Sequence, residues 1–213
     1  MSSEQKVLGN CKKGLTFVIS APAGTGKTTL VEMLKREFSC VRTTISYTTR
    51  AKRPQEVHGI DYYFVSVDEF EKKSKNGDFI EEVTLFSHRY GTAREEIERL
   101  QKEGFHVVLV IDTQGVQLLK KKCELVCIFI APPSLSELSK RLIERKTENI
   151  EELKKRLDIA RQEIETASTY DYLIVNDNLY VSYQVLRSIF IAEEHKTRNI
   201  EVTTLLNNQI MSK

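Results

Sequence analysis

The apolar positions of the chain follow two rhythms. GLTFVIS (14–20), FHVVLVI (105–111), LVCIFIA (125–131) and DYLIVN (171–176) are short, nearly continuous apolar runs rich in branched residues. That is the pattern of strands covered on both faces of a parallel sheet. TTLVEMLKREF (28–38) and the stretches 93–103, 134–145, 148–168 and 178–195 instead repeat apolar residues at helical spacing. Ser134 followed by Glu137, and Thr92 followed by Glu95, have the spacing of capping boxes that open helices. Strands alternating with helices predict an α/β fold, a doubly wound parallel sheet with its sites at the carboxyl ends of the strands.

Residues 44–92 break the alternation. Short alternating pieces, DYYFVSV and FIEEVTLF, with turn signals at Arg53-Pro54 and His58-Gly59, predict a small mixed or antiparallel insertion, read as a substrate-binding subdomain. A second interruption, KRLIERKTENIEELKKR (140–156), is dense in arginine and lysine and fits either a solvated helical hairpin or a mobile lid. The expected organisation is one domain over 14–213. Its core is 14–43, 93–139 and 157–196, with the insertion at 44–92, the lid at 140–156 and a polar tail at 197–213. The short apolar patch of the tail, Leu205 and Leu206, has no assigned task.

Composition narrows the class. A chain of 213 residues suits one such domain, and 29% charged with 40% hydrophobic residues is the balance of a soluble globular protein. No apolar run approaches the roughly 18 residues of a membrane span, and the basic start MSSEQKVLGNCKKG leads into no signal-type apolar stretch. The expectation is a cytoplasmic protein without membrane contact. With 32 basic against 30 acidic residues the net charge is +2, too even for general nucleic-acid binding, so anion binding must be local. Cys11, Cys40, Cys123 and Cys127 lack C-x-x-C spacing and read as buried or idle reduced thiols rather than a metal site.

The strongest local signal is APAGTGKT (21–28), set between a predicted strand and a predicted helix. Its glycines let backbone N–H groups wrap an anion, and the helix N-terminus adds partial positive charge. Ala21, Pro22, Ala23, Gly24, Thr25, Gly26, Lys27, Thr28 and Thr29 are therefore the candidate nucleoside triphosphate site. Lys27 reaches the β- and γ-phosphates, and Thr28 offers a hydroxyl to Mg²⁺. Ala21 replaces the first glycine of the strict pattern, which is tolerable where that residue keeps a negative φ. The loop identifies a triphosphate donor and leaves the acceptor open.

TISYTTRAKRPQEVHGIDYYF (44–64) places Arg50 and Arg53 three apart, followed by Tyr62, with no acid in the loop expected to neutralise both. Arginine forks and phenol hydroxyls suit a phosphate monoester; a solvated basic turn is the plain alternative. SYTTRAKRPQEVHGIDYYFVSVDEF, NGDFIEEVTLFSHRYGT, IDTQG, FIAPPS and LIVND, in that order, resemble the guanylate kinase family over roughly residues 14 to 195. The T-T-R-x-x-R-x-x-E-x-x-G-x-D-Y pattern is far more specific than the phosphate loop.

The resemblance implies transfer of a phosphoryl group from ATP, with Mg²⁺, to GMP and with it dGMP, by a monomer or homodimer. It implies that Arg50, Arg53, Tyr62 and Tyr90 hold the GMP phosphate while Ser46, Glu81, Thr92 and Asp112 address the guanine. Guanine offers N1–H and N2–H donors beside an O6 acceptor, so a carboxylate and hydroxyls are complementary to it. Read alone, Glu81 is an exposed strand charge beside Glu82, and Asp112 is a cap on the next helix. The resemblance also implies that Arg141, Arg145 and Arg156 close over the triphosphate, and that Asn176 lies near the donor adenine. Lys27, Arg50 and the three lid arginines would stabilise the charge of a loose transition state.

Four residues depart from the family. Ala21 and Ala23 stand for Gly and Ser, Lys146 for Gly, and Val110 for an Asp two before Asp112, an acid that would help organise the acceptor site or the metal shell. The rival class is a non-catalytic guanylate-kinase-like module that binds peptides; a second rival is a kinase of this fold acting on another phosphate ester. Lys27 and Thr28 oppose the first, and Glu81 with Ser46 opposes the second.

Overall fold

A computed structural model of the chain describes residues 6–85, 87–144 and 150–199. The chain enters the main sheet as β1 (Thr16–Ser20), α1 (Lys27–Glu37) and β2 (Val41–Thr43). An insertion follows, made of β3 (Tyr47–Thr48), β4 (Tyr63–Phe64), α2 (Val67–Lys75), β5 (Phe79–Leu85) and β6 (His88–Ala93). The chain then returns as α3 (Arg94–Lys102), β7 (His106–Val110), α4 (Thr113–Lys120), β8 (Val126–Ala131), α5 (Leu135–Glu144), α6 (Ile150–Glu165), β9 (Tyr172–Val175) and α7 (Leu179–Glu194).

The main sheet runs β2-β7-β1-β8-β9, every pairing parallel. Alternation along each strand feeds two cores, as a doubly wound sheet requires. Phe17 and Ile19 of β1 join Leu30, Val31 and Leu34 of α1 and Leu186, Ile189 and Phe190 of α7 on one face. Val18 joins Ile97, Leu100, Val116 and Leu119 of α3 and α4 on the other. The connection after β1 leaves toward β2, whereas those after β7 and β8 leave toward the opposite edge. The carboxyl ends around β1 are therefore the crevice where open parallel sheets bind ligands.

The insertion is a separate four-stranded sheet, β4-β3-β6-β5. It is mixed, because β3 pairs parallel with β4 and antiparallel with β6. Only Tyr63–Phe64 of the DYYFVSV piece is strand. Ser66 closes a full capping box with Glu69 and starts α2, a signal (S-x-x-E) that outweighs the alternation. The capping box expected from Thr92 to Glu95 does not form. Ala93 is the N-cap of α3 and makes no side-chain cap bond, because the Thr92 hydroxyl is engaged within the sheet by Glu81. Ser134 does cap α5, accepting from the Glu137 N–H at 3.1 Å.

Two further segments complete the frame. Leu138, Leu142 and Ala160 are buried between α5 and α6 with Leu135, Leu153 and Leu157 packed on them, so the lid stretch has an apolar seam and is not solvated all round. At the amino ends of the strands Glu194 of α7 accepts hydrogen bonds from the Gly9 and Asn10 N–H groups at 2.7 and 3.0 Å, tying residues 6–13 to the core, where Leu8 is buried. Residues 200–213, including Leu205 and Leu206, lie outside the described residues. Among the described residues no helix is long and apolar enough to cross a membrane.

Candidate active site

β1 ends at Ser20 and its continuation wraps into the loop before α1. Gly24 and Gly26 have φ of +89° and +90°, a region that L side chains rarely adopt. Ala21 is buried and keeps φ outside that region, which explains why alanine is accepted there. Gly26 is the N-cap of α1 and supplies no side-chain cap. The first-turn N–H groups are thus left for an anion, with Thr28 and Thr29 exposed beside them. Thr25 is inward, its hydroxyl donating to the Pro22 carbonyl at 2.8 Å. Burial lowers the pKa of Lys27, while the neighbouring carboxylates of Glu163 and Asp112 raise it.

Asn176, at the end of β9, is buried and donates its amide to the Thr25 carbonyl at 2.6 Å. Arg141 of α5 donates to the Asn176 carbonyl at 3.0 Å and to Glu137 at 3.3 Å. The structure thus links both to the phosphate loop, the asparagine side chain bracing the loop backbone and the arginine joining the lid to the end of β9. Arg156 is exposed on α6; Arg145 and Lys146 lie outside the described residues.

The second cluster is built by the β5–β6 register, which sets Glu81 opposite Thr92. Glu81 is 3% exposed, not the surface charge its neighbour Glu82 suggested. The Thr92 hydroxyl donates to Glu81 Oε1 at 2.6 Å. Asp112 is the N-cap of α4, accepting from the Gly115 N–H through Oδ1 at 2.7 Å, so the capping reading holds. Its other oxygen, Oδ2, and Glu81 Oε2 are buried and without a partner. The two side chains converge over Gly115, where an added Cβ would stand 3.1 Å from Glu81 Oε2 and 3.4 Å from Asp112 Oδ1. Burial pushes the Glu81 carboxyl up to about 7, with Thr92 opposing and Asp112 assisting. Buried acceptors left unpaired are costly, and these two belong to side chains that stand near one another.

The third cluster lies in the loop between β3 and β4. Arg50 forms a fork with Glu56, NH1 to Oε2 at 3.0 Å and NH2 to Oε1 at 2.7 Å. An acid in the loop therefore neutralises Arg50 alone, and the turn 50–56 folds back far enough to bring it there. Arg53 is exposed and gives Glu56 only its backbone N–H, at 2.8 Å. Tyr62 and Tyr90 meet edge to face at 6.0 Å, and Tyr90 stands near the Arg50 guanidinium. Ser46 is half-buried at the lead into β3, its carbonyl accepting from the Tyr63 N–H at 2.9 Å.

Sequence reasoning missed Glu56 and Glu163. The first was legible as the glutamate of the T-T-R-x-x-R-x-x-E pattern. The second had no local signal, because only the packing of α6 brings it to Lys27. Val110, at the end of β7, is partly exposed and brings no charge where an acid was expected. A cavity at the amino ends of the strands, around Lys13, Gly14 and Gln101, contains none of these residues.

Residues 13–193 match the family model described as guanylate kinase. The chain is 56% identical over 188 residues to a guanylate kinase of Protochlamydia amoebophila, covering 88% of this chain and 95% of that protein. It is 52% identical over 181 residues to one of Chlamydia trachomatis serovar D, covering 84% and 88%. A crystal structure of guanylate kinase from Anaplasma phagocytophilum superposes with a TM-score of 0.75 at 32% identity, covering 96% of this chain and 98% of that one.

Proposed function

Because the chain belongs to the guanylate kinase family, we propose that its three clusters divide the labour of an ATP:GMP phosphotransferase. Residues Ala21 to Thr29, braced by Asn176, hold ATP. Arg50, Arg53, Tyr62 and Tyr90 hold the GMP phosphate, and Glu81, Asp112, Thr92 and Ser46 read the guanine. The non-catalytic module is set aside, since the relatives over most of the chain are kinases by name and Lys27 is in place.

One observation carries the reading: Glu81 Oε2 and Asp112 Oδ2 are buried acceptors without partners. Guanine supplies adjacent donors, N1–H and N2–H, that satisfy such a pair, whereas adenine would set its N1 lone pair against a carboxylate. In the reaction an oxygen of the GMP phosphate attacks the γ-phosphorus of ATP in line, and the bond to the β-phosphate oxygen breaks. Lys27 with Arg141, Arg145 and Arg156 stabilises the charge spread over the moving group. Arg50 aims the attacking oxygen, and closure of α5 and α6 excludes water.

Mg²⁺ fits the donors present, because it takes few protein ligands and keeps several waters, and the exposed Thr28 hydroxyl is a hard oxygen at the phosphate site. Thr28 would hold it, and its charge would neutralise the β- and γ-oxygens.

ADP release measured across AMP, GMP, CMP and UMP tests the assignment, with GMP expected to exceed AMP by 10⁴ or more in kcat/KM, an order-of-magnitude figure for sites that pair polar groups with their substrate. Glu81→Gln should lower kcat/KM for GMP about tenfold or more. A change under about twofold, less than one ordinary hydrogen bond, would show that Glu81 does not read the base.

A further inference from the structure

Glu56 is held as firmly as any residue of the phosphate cluster, yet as an acid it cannot itself receive a phosphate. Its carboxylate takes the Arg50 NH1 and NH2 hydrogens at 3.0 and 2.7 Å and the Arg53 N–H at 2.8 Å. Both side chains of the pair are nearly buried, at 14% and 13% exposed. The Arg50 hydrogen bond holds the Glu56 carboxyl below the usual carboxylate range against the opposing effect of burial.

The count of guanidinium hydrogens shows what this contact leaves. Arginine has five N–H donors in a rigid plane. NH1 gives one hydrogen to the Ala51 carbonyl at 2.8 Å and one to Glu56, and NH2 gives one to Glu56. What these bonds leave is the Nε hydrogen and the second NH2 hydrogen, which point outward along the same edge of the planar group. That side forms one intact two-pronged edge, the geometry that suits two oxygens of a phosphate. The guanidinium also lies 5.6 Å from the Tyr62 ring and 5.7 Å from the Phe64 ring, and Tyr90 stands near it. Rotation of Arg50 about its long stem is therefore stopped on several sides, the end of its fork being stopped by Glu56.

We propose that Glu56 is the positioning residue of the acceptor site: by occupying the end of the Arg50 fork it presents the remaining Nε–NH2 edge to the phosphate of GMP. The proposal rests on the assignment of Arg50 to that phosphate. It also gives Arg53 a fixed backbone at the same carboxylate, so one acid sets the spacing of both arginines.

The test compares GMP with guanosine, which lacks the phosphate, by calorimetric binding to wild type, Glu56→Gln, Glu56→Asp, Arg50→Ala and the Arg50→Ala/Glu56→Gln double variant. Glu56→Gln is expected to weaken GMP about tenfold or more, the size of a lost hydrogen bond to a charged group, and to leave guanosine within about twofold. KM for GMP should rise more than kcat falls, with KM for ATP unmoved. Glu56→Asp, which keeps the charge, should recover part of the loss, and in the Arg50→Ala background Glu56→Gln should add less than about twofold. Equal weakening of GMP and guanosine would mean that Glu56 only shapes the loop, and unchanged GMP binding would mean that it does nothing; either result overturns the proposal alone when Arg50→Ala does weaken GMP. Undiminished GMP binding by Arg50→Ala overturns both the proposal and the phosphate assignment beneath it.

Discussion

Replacing Glu81 with glutamine should make the nucleotide-free protein more stable while weakening its reaction with GMP. Burial lifts the Glu81 carboxyl from 4.5 to about 7, so the folded state binds that proton more tightly than the unfolded chain does. Below about pH 4.5 both states are protonated and nothing is lost. As pH rises from about 4.5 to about 7 the unfolded chain ionises first and stability falls; above about pH 7 the loss is complete. At about 1.4 kcal/mol per unit the full effect is roughly 3 kcal/mol, an order-of-magnitude figure. Glutamine carries no such slope. Its carbonyl can accept from Thr92 as Glu81 Oε1 does, and its amide would stand where the unpaired Oε2 now faces Asp112. Urea unfolding of both proteins without nucleotide, from about pH 4 to about pH 8, measures this. The variant should be ahead by roughly 3 kcal/mol at the high end and level at the low end. A gap that does not change with pH, or a variant less stable at about pH 8, would refute the claim that a desolvated carboxylate is held for the substrate.

Glu194 should behave in the opposite sense. Burial would raise its carboxyl, but hydrogen bonds from His106, Asn10 and Gly9 pull it down from 4.5 to about 2. Its stabilisation is therefore full above about pH 4.5 and lost as pH falls toward 2. Glu194→Gln should cost roughly 3 kcal/mol at neutral pH, since both carboxylate oxygens accept: Oε2 from the Gly9 N–H and from His106 Nε2, which carries the hydrogen because the Leu15 N–H donates to Nδ1, and Oε1 from the Asn10 N–H and Nδ2, so an amide turned either way sets its NH2 against donors; the gap should close on acidification in the same urea series. Lys27→Met should keep its circular dichroism and lose turnover by about 10² or more, because the charge acts on phosphates and not on packing. Gly26→Ala should abolish ATP binding measured by calorimetry, as φ is +90° there and the new Cβ would lie 2.6 Å from Asn176 Nδ2.

Local patterns carried much of the architecture. The four apolar runs became β1, β7, β8 and β9, and the phosphate loop fell between β1 and α1, because strand burial on two faces and the strand-loop-helix turn are written in neighbouring residues. Where two local signals competed, the reading from sequence chose wrongly. Alternation suggested a strand through DYYFVSV, but the reciprocal bonds of Ser66 and Glu69 satisfy the first N–H groups of a helix and prevailed. Thr92 and Glu95 had capping spacing, but the Thr92 hydroxyl found a buried carboxylate across the β5–β6 pair.

The strand-helix rhythm, the phosphate loop and, through the resemblance, the kind of site to expect were all legible in the chain, since each depends on spacing between neighbouring residues. The states of the charged groups came from packing between remote segments. Glu81 is a buried acid with a free oxygen because β6 lies beside it and α4 faces it. Lys27 has Glu163 near it because α6 packs back over the core. Arg50 has a fixed edge because its loop folds Glu56 under it. A carboxylate or ammonium is set by its distance from other charges and from water, and those distances exist only once segments remote in sequence have packed.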